Sequence, residues 1–72
     1  MNASAVVNRI RELRLSVEGM TQEKLAQLCG VTRQTIIALE AQKYSPSLEL
    51  AFKLAHALGR TLDEVFQYSV KK

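Results

Sequence analysis

Arg33, Gln34 and Thr35 stand side by side just after Gly30-Val31-Thr32. A guanidinium offers two parallel donors and a carboxamide a donor beside an acceptor. These patterns satisfy the edge of a guanine and of an adenine with two hydrogen bonds at once, while a threonine or alanine methyl matches the methyl of thymine. Ile36 and Leu39 are spaced as the inward side of a helix, which leaves Arg33, Gln34, Ile37 and Ala38 on its outer side. Ile37 then has no evident core partner; contact with thymine methyls would account for it, and so would the ordinary exposure of one apolar residue. Other chemistry finds little support. Cys29 falls on the apolar face of its helix and reads as a small buried hydrophobe rather than a redox group. His56 has no acid or serine placed to complete a catalytic set, and Asp63-Glu64 at a helix start complement the helix dipole better than they form a catalytic pair. One cysteine and one histidine are too few for an internal disulfide or a structural zinc site, and no two glycines lie close enough for a phosphate-cradling loop. Neither an enzyme nor a cofactor is expected.

The elements that must hold these groups are marked by polar starts and glycine stops. Asn8, Thr21, Thr32 and Thr61 each precede a helically spaced apolar segment, and Thr61 with Glu64 has the form of a capping box. Gly19, Gly30 and Gly59 follow such segments, as residues that end helices do. Pro46 fits the first turn of a further helix, capped by Ser45 or Ser47 and running to about Leu58. Five short helices result. The ends differ: Phe66-Gln67-Tyr68-Ser69-Val70 alternates apolar with polar residues, and Val6-Val7 is a β-branched pair. Either a short β-ribbon joins the termini, or the ends carry extra helical turns and a frayed tail.

The chain has 72 residues, of which 47% are hydrophobic and 24% charged. That suits one domain over residues 1–72 with a single core. No apolar run approaches the roughly 18 residues of a membrane-spanning helix. The first residues lack the basic start and apolar stretch of a signal peptide, so a cytoplasmic protein with no membrane partner is expected. Ten Lys and Arg against seven Asp and Glu, net +3, lean mildly toward anionic partners.

Two short helices joined by Gly30-Val31-Thr32 form a helix-turn-helix over about 22–41, with small Ala26 allowing close approach, Gly30 making the turn, and Val31, Ile36 and Leu39 filling the angle. On Gln22, Ala26, Gly30, Val31, Ile36 and Glu40, followed by Lys43-Tyr44-Ser45-Pro46-Ser47-Leu48, the chain resembles the Xre-like family of phage repressor and Cro-type domains. The resemblance extends from about Asn8 to Tyr68 and is greatest to short dimeric repressors of the cytolysin-operon regulator type. Two positions depart from the family pattern. Gln42 replaces the usual glycine after the second motif helix, so the turn either avoids a positive φ or bears strain. The connection Leu15 to Met20 is one residue longer than the family's usual one, leaving the orientation of Leu15 open.

The resemblance implies an all-α, five-helix, lambda-repressor-like fold and a sequence-specific transcriptional regulator that inserts helix 33–41 into the major groove of double-stranded DNA. It also implies that Arg14 pairs with Glu40 to fix that helix. Base contact falls to Arg33, Gln34, Thr35, Ile37 and Ala38, and phosphate contact to Gln22, Thr32, Gln42, Lys43 and Tyr44. A core this small contributes only about 3–5 kcal/mol alone, and Phe52, Leu62, Val65, Tyr68 and Val70 exceed what it can absorb, so a homodimeric repressor on a palindromic operator is expected. No small-molecule ligand is evident, and no room remains for an effector domain. The alternative is an antitoxin-like protein-interaction module whose DNA binding is secondary.

Overall fold

The computed structural model describes residues 5–69. In chain order these form β1 (Val6–Asn8), α1 (Ile10–Leu15), α2 (Gln22–Cys29), α3 (Arg33–Glu40), α4 (Leu48–Leu58), α5 (Leu62–Val65) and β2 (Phe66–Tyr68). The molecule is mostly helical with a small two-stranded sheet, and among the described residues no helix is long and apolar enough to cross a membrane.

The helix starts are local hydrogen-bond solutions. Thr21, Thr32 and Ser47 accept from the backbone amides of Lys24, Thr35 and Leu50 at 3.0, 3.2 and 3.1 Å, satisfying donors that a helix leaves orphaned. Ser47, not Ser45, is therefore the cap of α4, and Pro46 lies before it rather than within the first turn. Asn8 acts one residue further out than a simple cap, its Oδ1 accepting from Ile10 N at 3.1 Å while its own backbone belongs to β1.

α2 ends at Gly30, whose φ of 71° allows Val31 N to reach back to Ala26 O at 3.0 Å. α3 ends by the same bond pattern without a glycine: Lys43 N donates to Ala38 O at 3.0 Å and Gln42 takes φ of 62°. A side chain in that left-handed region costs about 1–2 kcal/mol, so the strain that the sequence raised as one of two outcomes is present. α1 stops at Leu15, and Ser16 caps it by turning its hydroxyl back onto Leu13 O at 2.6 Å. Leu15 points outward at 59% exposure.

The core lies where the helices converge. Ile10 and Leu13 of α1, Leu25 and Cys29 of α2, Ile36 and Leu39 of α3, and Leu54 and Leu58 of α4 meet in one cluster, with Met20 and Val31 against it. Val65, expected at a surface between two copies, is fully buried here at 0% exposure and cannot serve there; closing the ribbon draws the end of α5 inward. β1 and β2 pair antiparallel with Val6 opposite Tyr68, Val7 opposite Gln67 and Asn8 opposite Phe66. Arg9 N to Val65 O at 2.8 Å and Ser69 N to Ala5 O at 2.6 Å flank the pair. Phe66 thus leaves the helix for the strand, and the alternative of extra helical turns falls for residues 5–69.

Candidate nucleic-acid interface

α3 turns one face wholly into the core, with Ile36 and Leu39 at 0% exposure, and the opposite face outward. Arg33 and Gln34 in its first turn are exposed, Thr35 and Ala38 are half-buried, and Ile37 stands at 36% exposure. The hydroxyls of Thr32 and Thr35 lie 3.1 Å apart, so the helix start presents two linked hydroxyls beside a guanidinium and a carboxamide. Guanidinium, amide, hydroxyl and methyl groups therefore share one convex ridge, chemically matched to base edges in a groove wide enough for a helix.

The ridge is held from behind by a buried ionic network. Arg14 Nε meets Glu40 Oε2 at 2.6 Å and Nη2 meets Oε1 at 3.3 Å, a bidentate arrangement, while Nη1 donates to Met20 O at 3.1 Å. Gln22 Nε2 adds a third hand, donating to Glu40 Oε1 at 3.0 Å. The Arg14 and Glu40 side chains are 9% and 5% exposed, and among the described residues no buried side-chain polar atom is left without a partner. The Glu40 carboxylate thus joins the end of α3 to α1 and the first turn of α2, and Arg14 carries the link on to the loop before α2. Sequence spacing marked Gln22 only as a phosphate candidate; its amide faces Glu40 because the first turn of α2 sits over the end of α3, which no local pattern reports.

Beside this network lies a concave surface lined by Arg14, Thr21, Gln22, Glu23 and Arg33, with the N-terminal turn of α2 on one wall and that of α3 on the other. Lys43 and Tyr44 are exposed in the loop after α3. Gln42 departs from its expected place among phosphate contacts, since its carboxamide is turned inward along the chain surface to Asn8, donating to Asn8 O at 3.0 Å and accepting from Asn8 N at 3.2 Å.

Phe52 and Tyr68 are 55% and 73% exposed, and Leu62 is half-buried; Phe52 borders a groove with Leu28, Lys53 and His56, whereas Leu62 and Tyr68 border another with Val6 and Phe66. Val70 lies outside the described residues. A shallow apolar groove adjoins Leu62, lined by Val6, Pro46, Leu48, Ala51 and Phe66. Val6 and Leu48 join this groove without a signal in the sequence, because a single exposed apolar residue stands out only once the fold collects several. Cys29 is buried and its thiol is pushed up by desolvation. His56 is exposed. Among the described residues no cluster of His, Cys, Asp and Glu could hold a metal ion.

Comparison with known proteins converges on one description. A family model described as helix-turn-helix matches residues 10–65. An HTH-type transcriptional regulator of Methanothermobacter thermautotrophicus is 59% identical over 58 residues, covering 79% of this chain and 83% of that protein. The restriction-modification controller protein C.AhdI of Aeromonas hydrophila superposes with a TM-score of 0.71 at 39% identity, over 78% of this chain and 80% of that one. A crystal structure from Bacteroides fragilis reaches a TM-score of 0.77 at 26% identity, over 86% and 98% of the two chains.

Proposed function

The chain belongs to the Xre-like helix-turn-helix family and is a DNA-binding transcriptional regulator, and from that premise we propose that it acts as a homodimeric repressor of a palindromic operator, α3 of each copy lying in the major groove. The observation that carries this is the division of α3: Ile36 and Leu39 wholly buried, Arg33 and Gln34 free in the first turn, and the far end clamped through Glu40. Arg33 and Gln34 read bases, Thr35, Ile37 and Ala38 contact methyl groups and backbone, and Thr32, Lys43 and Tyr44 grip phosphates on either side. In the groove between α2 and α3 the two helix N-termini and Arg33 favour a phosphate, against the opposing carboxylate of Glu23.

The dimer brings together Phe52, Leu62 and Tyr68 with the adjoining groove of Val6, Leu48 and Phe66, so that apolar side chains left in water by one copy are covered by the other. Two recognition helices then face the same side of a duplex, one turn apart. Repression follows by occupying the site that polymerase needs. Selection of bound sites from a random duplex library tests this directly. Enrichment of a two-fold symmetric sequence with half-sites one turn apart is the expected result; recovery of no preferred sequence would transfer the weight to the protein-interaction module.

A further inference from the structure

Gln42 combines three facts. It is the one non-glycine residue at positive φ among those described. It sits directly before Lys43 and Tyr44. Its carboxamide engages both backbone groups of a residue 34 positions away. The odd-numbered residues of β1 and its flanks turn toward β2, as the bonds of Ala5 and Arg9 to that side show. By the alternation of a strand, the N–H and C=O of Asn8 face the opposite, open edge. Gln42 meets that edge as a further strand would, donating to Asn8 O at 3.0 Å and accepting from Asn8 N at 3.2 Å. Asn8 answers with its own side chain, Nδ2 donating to Leu39 O at 2.9 Å and to Gln42 Oε1 at 3.3 Å. Leu39 O belongs to the last turn of α3.

We propose that Gln42 is a positioning residue for DNA recognition: its carboxamide latches the edge of the terminal ribbon onto the C-terminal end of α3, and so sets the angle of that helix and the placement of the Lys43-Tyr44 loop without itself touching DNA. The latch explains why a side chain stands where the turn favours glycine. Glycine would remove the backbone strain and leave the ribbon edge unpaired and the helix end free to shift. Clamped through Glu40 to α1 and α2 and through Leu39 and Gln42 to the ribbon, the recognition helix is held on two sides.

This inference rests on α3 reading bases, and the test separates the two. Gln42→Gly is compared with the wild type in thermal unfolding, in amide exchange of Asn8, and in titrations of the selected operator and of a random duplex. The variant is expected to unfold at the same or a higher temperature, because glycine suits the turn, while Asn8 exchanges faster. Its preference for the operator over the random duplex is expected to fall roughly three- to tenfold, the scale of losing one or two hydrogen bonds. Gln42→Asn, which tolerates the left-handed backbone but is one methylene short, should follow the glycine variant. An unchanged Asn8 exchange rate overturns the latch. An unchanged preference, or a loss shared equally by operator and random duplex, overturns its positioning role. A wild type without any sequence preference removes base reading by α3, and the positioning role with it, while the exchange measurement still scores the contact itself.

Discussion

Arg33 and Gln34 are alike in exposure and unlike in charge, and that difference separates their expected effects. Gln34→Ala should leave folding and random-duplex binding near wild type and lose about 1–3 kcal/mol of discrimination at one base pair per half-site. Arg33→Ala should do the same at a neighbouring base pair and weaken all binding, because a cation leaves the backbone. Titrations against an operator series changed one base pair at a time measure both. Retention of the wild-type preference at every position by both variants would place base reading outside the first turn of α3. Arg14 tests the opposite face. Arg14→Ala leaves a carboxylate that is 5% exposed with only Gln22 beside it, and should cost about 3–5 kcal/mol in urea unfolding. The double change Arg14→Leu with Glu40→Leu removes both charges and should lie near neutral. A single variant as stable as the wild type would show that water reaches Glu40.

α3 has eight residues, too few to hold a helix by propensity alone. Its start depends on Thr32, so Thr32→Ala should lose about 1 kcal/mol and Thr32→Ser little, as read from denaturant midpoints. α5 is shorter still, at four residues, and Glu64 secures its start by accepting from Thr61 N at 2.9 Å. That bond, with Arg60 Nη1 at 3.9 Å, holds the Glu64 carboxyl below the usual carboxylate range against the opposing charge of Asp63. A depressed carboxyl stabilises the fold above its unfolded pKa, and the contribution fades as pH falls through the folded value. The Thr61 amide resonance should therefore shift during acidification at a pH below that of an ordinary glutamate, and the shift should vanish in Glu64→Gln. A midpoint in the ordinary range would mean that the contact does not persist in solution.

At the scale of the molecule, the charge and the apolar groove lead to two measurements. If a dimer contacts about six to ten phosphates, affinity should fall on the order of 10³ to 10⁵ between about 50 and 200 mM salt. Lys43→Ala should flatten that slope and weaken every sequence alike; an unaltered slope would take Lys43 out of the phosphate set. Light scattering at tens of micromolar should give twice the chain mass, and Phe52→Glu or Tyr68→Glu should halve it. A wild-type mass of one chain would leave the exposed Phe52 and Tyr68 to some other partner.

Helix starts, the glycine stop at Gly30 and the inward side of α3 were legible from the sequence because each is local. A hydroxyl finds an amide three residues on, and apolar residues recur at the helical period, so Thr21, Thr32, Ile36 and Leu39 declare their roles within one or two turns. What stayed hidden joins residues far apart. Gln22 meets Glu40 across 18 positions, and Gln42 meets Asn8 across 34. Both looked like groups available to phosphate because a polar side chain on a short helix or turn is exposed by default. Val65 looked equally available to a second copy until the ribbon drew it to full burial. The choice between strand and helical turns at the termini was undecidable locally, since three residues form a strand only when an edge is brought to them. Local periodicity determines which face of a helix is apolar; only packing between distant elements decides which polar groups are consumed in holding that helix and which remain free to meet DNA.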